Sequence, residues 1–210
     1  WDRKIRFSIA GHQDKLAVYQ DGRGEWSLAD AAHLASTHIL KPEPTNPLLA
    51  GLTSNEFICM RLAKAVGLAV APVELLHIPD PVLLITRFDR VQSDGEVIRL
   101  PAIDGCQALG LPAIAKYERP SGYRGDVQDI RAGASLGRLF HLLNKTARPA
   151  AEKISLLRWT IFQVLIGNTD AHAKNLSFHV GREGLSLAPA YDLVCGLAFD
   201  GDTVLDNYAM

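Results

Sequence analysis

The stretch Gly167-Asn168-Thr169-Asp170-Ala171-His172-Ala173-Lys174-Asn175, with the strand patterns Leu176 to Val180 and Leu185 to Ala188 and the residue Asp192 that follow it, decides how this chain reads. It is polar and turn-prone, and it follows directly on the apolar run Ala150 to Ile166. A helix therefore delivers the chain to a loop where packing stops, and loops mounted on rigid elements are where function sits. Gly181-Arg182-Glu183-Gly184 between the two strand patterns makes a hairpin turn. Pairing Val180 with Leu185 sets Phe178 opposite Leu187, Asn175 opposite Ala190 and Asp192 opposite Ala173. Ladder partners lie about 4.5 to 5.5 Å apart at Cα, so the hairpin returns Asp192 to the side of Asp170 and Asn175. Two carboxylates and a carboxamide oxygen at a loop mouth suit Mg²⁺, a hard cation that shares its shell with substrate phosphates. The plainer alternative is that Asp170 and Asn175 only form side-chain turns and Asp192 only caps a neighbour.

Working outward, the first ninety residues alternate short strands with one helix. Ile5 to Ile9, Leu16 to Tyr19, a piece at Trp26 after the turn cluster Asp21-Gly22-Arg23-Gly24, and Thr37 to Lys41 read as strands, the last ended by Pro42. Ser54 caps a helix over Asn55 to Ala65 with Gly67 as its stop. Val73 to Ile78 and Val82 to Thr86 are strands reversed at Pro79-Asp80-Pro81. Residues Gln92 to Arg131 are rich in glycine and proline and predict few long elements. Ala134 to Leu143 and Ala150 to Ile166 read as helices, the second apolar enough to be buried on most sides. The organisation is a sheet-rich first half and a helix-rich second half joined near Arg87 to Arg90.

Bulk properties narrow the partners. The 210 residues are 48% hydrophobic and 21% charged, enough apolar content for a substantial core. A net charge of -1 gives no electrostatic footprint for a nucleic-acid duplex or an anionic membrane. Cys59, Cys106 and Cys195 are odd in number and not spaced for metal, which predicts reduced thiols in a cytoplasmic protein. His172 and His179 are seven apart, without the spacing that zinc sites favour. No run of about 20 apolar residues and no signal-peptide pattern is present. The sequence opens inside patterned residues and stops without a tail, which reads as a piece of a longer chain.

Asp-x-x-x-x-Asn followed after a hairpin by another Asp is the order in which protein kinases place a catalytic Asp, a second-metal Asn and a main-metal Asp. The first half supplies what an ATP site also needs. Lys41 ends a strand, the position of a phosphate-pairing lysine, and Glu56 on the next helix is placed to pair with it or to stand as a solvated surface carboxylate. Ser8-Ile9-Ala10-Gly11-His12-Gln13-Asp14-Lys15 occupies the place of a phosphate-covering loop, although it lacks the G-x-G-x-x-G pattern. Arg87-Phe88-Asp89-Arg90 falls at the hinge, where Phe88 either stacks on adenine or packs as an ordinary core aromatic.

The stretches "SIAGHQDKLAVY", "STHILKPE", "NEFICMRLAKAVGL", "ITRFDR", "CQALGLP", "KYE", "IGNTDAHAKNLSF" and "LAPAYDLV", in this order, resemble the HipA family of toxin kinases over nearly the whole chain. The resemblance implies an α+β, two-lobed protein-kinase-like fold related to lipid kinases, with an antiparallel sheet-rich N-lobe over 1–90 and a mainly helical C-lobe over 91–210. It implies an ATP- and Mg²⁺-dependent serine/threonine kinase acting as a bacterial growth-arrest toxin, partnered by a HipB-like DNA-binding antitoxin. Its substrate would be a translation component such as an aminoacyl-tRNA synthetase. Asp170 would be the catalytic base, and Asn175 and Asp192 the metal ligands. Ala10, Gly11, Lys15, Lys41, Arg87, Phe88, Gln107, His172 and Lys174 would bind nucleotide, with Glu56 positioning Lys41. Ser8 matches a loop serine that such kinases autophosphorylate, and a phosphate there would repel those of ATP. Family members extend further at both ends, and His12 sits in the middle of the loop expected to wrap phosphate. Two alternatives stay open from the residues: a kinase for a small molecule or lipid, and a degenerate kinase serving as a co-repressor module.

Overall fold

A computed structural model describes residues 13–29, 34–93, 96–120 and 131–199. The strand expected at Ile5 to Ile9 and the loop residues Ser8, Ala10 and Gly11 lie outside that range.

The first half builds one antiparallel sheet. Strands β1 (Leu16–Gln20), β2 (Trp26–Leu28) and β3 (His38–Pro42) are followed by helix α1 (Leu52–Ala65), then by β4 (Val73–Ile78) and β5 (Asp80–Thr86). The sheet order is β2-β1-β3-β5-β4. Pro42 still belongs to the ladder, facing Val82, so β3 runs one residue beyond the stop expected from proline. Helix α1 begins three residues before the expected start. Ser54 lies inside it, and the left-handed Gly51 (φ 87°) precedes it. The cap comes from Glu43, whose carboxylate accepts from the Gly51 and Thr53 amides. A cap supplied from eight residues upstream leaves no local signature of the kind that marks a helix start.

Between the two halves, the described residues form short pieces: β6 (Arg90–Ser93), β7 (Glu96–Arg99), β8 (Ala102–Asp104), the one-turn helix α2 (Gly105–Ala108), and the two-residue strands β9 (Arg119–Pro120) and β10 (Arg131–Ala132). Helices α3 (Leu136–Leu142) and α4 (Pro149–Leu165) then lead to the hairpin β11 (Ser177–Gly181) and β12 (Gly184–Leu187). β8 adds to β11 on its other side, giving the order β12-β11-β8.

One apolar cluster joins the parts. Met60 and Ala63 of α1, Leu83 and Ile85 of β5, Leu139 of α3, Leu156, Trp159 and Phe162 of α4, Phe178 of β11 and Leu193 belong to it. Burying each large side chain is worth about 1.5–3 kcal/mol, so Phe178 and Leu193 anchor both ends of the hairpin region to the body of the protein. The expectation that α4 is buried on most sides fails. Its buried residues Glu152, Leu156, Trp159, Phe162 and Gln163 share one face, while Ile154 (59%), Val164 (64%) and Leu165 (77%) are exposed. An apolar run reads alike whichever face finds a partner, and among the described residues only one face does.

The hairpin forms in the expected register, from Phe178 opposite Leu187 to Gly181 opposite Gly184, with a last link from the Ala188 amide to the Ser177 carbonyl. The expected continuation to Asn175–Ala190 and Ala173–Asp192 does not form. Ala173–Asn175 curls into a single 3-10 turn, and Ala190 leaves to pair with Ala69 and Ala71 at 2.8 and 2.9 Å. That second pairing, rather than the first ladder, carries Asp192 back. Asp192 itself turns the chain with φ 59°, a left-handed conformation that no other non-glycine residue adopts among the described residues.

Candidate phosphoryl-transfer site

A cavity of about 630 Å³ opens where β3, β5, the Asp170 loop and the Asp192 turn meet, a volume suited to a nucleotide-sized ligand. Its lining includes Lys15, Lys41, Thr86, Arg87, Phe88, Asp89, Lys116, Tyr117, Asp170, His172, Lys174, Asn175, Tyr191 and Asp192. Of the nucleotide, metal and base residues singled out from sequence and described here, all but Gln107 line it.

Lys41 is the fixed point. Its position on β3 directs a buried ammonium at both oxygens of Glu56 (2.7 and 2.8 Å) and at Asp192 Oδ1 (2.8 Å). Glu56 is 1% exposed on α1 and is no solvated surface carboxylate. Burial works against the charge on Lys41, but the Asp192 and Glu56 carboxylates override it and raise the lysine above its ordinary value. Burial likewise pushes Asp192 toward neutrality; Lys41 and Lys15 win and hold it down at about 2. At Glu56 the balance goes the other way, with burial raising it against the opposing pull of Lys41. Lys15 is itself lowered by burial, with Asp192 opposing. The site is thus a compact array of two carboxylates around one ammonium, with a second lysine near.

The loop after α4 is fixed by Gly167 (φ 64°), whose carbonyl accepts from the Gly196 amide at 3.0 Å. The Asn168 side chain accepts from the Asp170 amide (3.1 Å), and the Asn175 carboxamide nitrogen donates to the Asp170 carbonyl (3.1 Å). That bond uses the nitrogen of Asn175 and leaves its oxygen for a cation. Asp192 likewise has one oxygen on Lys41 and a second remaining, with the side chain 30% exposed toward the cavity. An amide oxygen and a carboxylate oxygen are the hard donors that Mg²⁺ takes, so the donor set fits that ion. Among the described residues no group of three or more His, Cys, Asp or Glu is arranged as a metal site.

The remaining residues take identifiable places. Arg87 is held by Asp89 in two bonds (2.9 and 2.7 Å) and by Ser36 (3.1 Å), and its amide donates to the Thr37 carbonyl. Phe88 stacks on Tyr191 with centroids 5.6 Å apart while lining the cavity. Lys174 reaches Asp104 at 2.6 Å. His172 is buried, and burial lowers its pKa against the pull of Asp170, whose Oδ1 is 3.9 Å away. Gln107 is exposed and outside the lining. It completes a capping box at the start of α2, its side chain accepting from the Asp104 amide (2.9 Å) while Asp104 accepts from its own (2.9 Å). Residues without a role in the sequence reading also line the cavity, among them Lys116, Tyr117 and Tyr191. Tyr117 lies in the stretch "KYE", and its position beside Asp170 had no local spacing to announce it.

The model of the HipA-like C-terminal domain matches residues 7–210. The chain belongs to that family. It is 45% identical over 197 residues to the serine/threonine-protein kinase toxin HipA of Shewanella oneidensis, covering 92% of this chain and 44% of that protein. The solved complex of HipA, HipB and operator DNA from the same organism superposes with a TM-score of 0.80 at 44% identity, over 95% of this chain and 46% of that one. The Helicobacter pylori proinflammatory kinase CtkA shares the fold at 15% identity, with a TM-score of 0.53 over 84% of this chain and 57% of that one. This HipA-like chain thus spans less than half the length of the Shewanella protein. No helix among its described residues is long and apolar enough to cross a membrane.

Proposed function

We propose that the protein is an ATP- and Mg²⁺-dependent serine/threonine protein kinase of the HipA type, a growth-arrest toxin of the cytoplasm. The observation that carries this reading is Lys41 gripped by Glu56 and Asp192 in the wall of a cavity that Asp170 and Asn175 also line. Residues 1–90 would form the N-lobe of a two-lobed kinase fold and 91–210 the C-lobe, with ATP between them. Lys41 and Lys15 supply positive charge for the phosphates, and Phe88 and the backbone at Arg87 border the adenine. Asp192 and Asn175 would hold Mg²⁺, which supplies neutralisation of the charge developing on the phosphate oxygens. Asp170 accepts the proton of the acceptor hydroxyl as its oxygen bonds to the γ-phosphorus. The bond from that phosphorus to the bridging oxygen breaks, and ADP leaves.

Kinship supports two further parts. The Shewanella HipA was solved with HipB and operator DNA, which supports a HipB-like antitoxin as partner here. The acceptor would be a translation component such as an aminoacyl-tRNA synthetase, and Ser8 a site of self-phosphorylation that shuts the site by charge repulsion.

The test is Asp192→Asn. Saturating Mg²⁺-ATP at 100 times its Kd stabilises a binding-competent fold by about 2.7 kcal/mol. The wild type should show such a shift and the variant should lose most of it along with phosphate transfer. Equal stabilisation and equal transfer in both proteins would overturn the metal assignment. Phosphopeptide mass spectrometry of Ser8 in wild type and Asp170→Asn checks the self-phosphorylation: modification is expected only in the wild type.

A further inference from the structure

We propose that Tyr117 is a positioning residue for Asp170, fixing one oxygen of the carboxylate so that the other is left to receive the acceptor proton. The inference rests on the kinase reading of Asp170. The Tyr117 hydroxyl donates to Asp170 Oδ1 at 2.5 Å, whereas His172 Nε2, at 3.9 Å from the same oxygen, is beyond hydrogen-bond distance. The Asp170 side chain is 47% exposed, so its rotamer is not set by packing alone. A hydrogen bond to an ionised carboxylate is short and strong, and it is directional enough to select one orientation.

The tyrosine is itself held from every side. Its ring is buried, lies edge-on to His172 (centroids 5.2 Å apart), and carries Lys116 Nζ and Arg119 Cζ at 4.8 and 5.2 Å from its centroid. The backbone on its N-terminal side is fastened to the Asp170 loop and to the segment before α3. The Ala173 amide donates to the Lys116 carbonyl (3.1 Å), and the Ala134 amide donates to the Ala115 carbonyl (2.9 Å). Gly133, at φ 91°, packs so tightly that a Cβ there would lie 2.1 Å from the Tyr117 carbonyl oxygen. A segment far from Asp170 in sequence is thereby locked to the loop that carries it. A buried hydroxyl in a rigid seat, aimed at a half-exposed carboxylate, is the arrangement that orients a base. The hydroxyl proton stays on Tyr117, whose pKa is raised by burial and by its bond to Asp170.

The test is a double-mutant cycle in the protein at its full natural length, with Ser8→Ala as the common background, measuring γ-phosphate removal from Mg²⁺-ATP to water and to the protein's own hydroxyls. Tyr117→Phe keeps the ring and its packing and removes only the donor. It should lower kcat about ten- to a hundredfold, the size expected when a catalytic group loses its alignment. The KM for ATP should stay within about twofold, and the unfolding midpoint should barely move, because nothing that touches nucleotide is lost. In an Asp170→Asn background, Tyr117→Phe should cost nothing further, since a residue acting through Asp170 has no target there. A wild-type kcat in Tyr117→Phe, or an equal loss in both backgrounds, overturns the positioning role while Asp170 keeps its own. Turnover undiminished in Asp170→Asn, or absent from the wild type, overturns the kinase reading of Asp170 instead.

Discussion

Lys41 faces two carboxylates, and its substitution tests the site's electrostatics residue by residue. Lys41→Met leaves Glu56 and Asp192 facing each other without the cation that holds them. Orphaning buried charge costs about 3–5 kcal/mol, and that loss should appear in urea unfolding at neutral pH. Glu56→Gln keeps Asp192 on the lysine and should cost less, about 1–3 kcal/mol. An equal loss in the two variants would contradict the shared role of the carboxylates. His172 gives a pH signature. Burial lowers its pKa below the ordinary 6.5, so the folded state holds it neutral more firmly than the unfolded chain does. Its stabilising contribution is complete above that value and is lost as pH falls through the lowered folded value. His172→Asn should therefore show a flatter fall in stability than the wild type between about pH 7 and 5. That Lys41, Asp170, Asn175 and Asp192 meet around one cavity was legible from residue types and order. Tyr117 was not, because its contact with Asp170 depends on how Gly133 and Ala173 seat a distant segment. Gln107 shows the reverse: Asp104-x-x-Gln107 spells a capping box in sequence, and that local role is the one observed.

Among the elements, α2 and the Asp170 loop are packed through a glycine. A Cβ on Gly105 would meet the Ala173 carbonyl oxygen at 2.5 Å, and the Gly105 amide donates to the Leu176 carbonyl at 2.9 Å. Gly105→Ala must push the loop away, with a cost of about 1–3 kcal/mol typical of overpacking. Phosphate transfer should fall while the protein remains folded by circular dichroism; full activity in this variant would show that the loop tolerates the displacement. The hairpin register was readable because period-two alternation and a short turn fix it. Its extension was not, since Ala190 pairs with Ala69 and Ala71, residues more than a hundred positions away that carry no pairing signal. The start of α1 was misplaced for a like reason, its cap arriving from Glu43. For α4 the apolar pattern was right and the number of covered faces was wrong.

In the whole molecule, the five-stranded sheet and the helical half share the apolar cluster and are further tied by Lys41 with Asp192 at the cavity, Ala71 with Ala190, and the two bonds between Asn55 and the Cys195 backbone at 2.8 and 3.2 Å. Ligand in the cavity therefore bridges both halves, and Mg²⁺ with ATP should stabilise them together in one cooperative transition, with chelation of the metal removing most of the shift. Two separate transitions on titration of Mg²⁺-ATP would show that the halves respond independently. Whether Asp170 is the base is decided by transfer of radiolabelled γ-phosphate by wild type and Asp170→Asn, with Mg²⁺-nucleotide binding followed on both. Loss of a general base predicts transfer about 10²- to 10⁴-fold slower in the variant, with binding retained; transfer at the wild-type rate in Asp170→Asn would show that Asp170 is not the base.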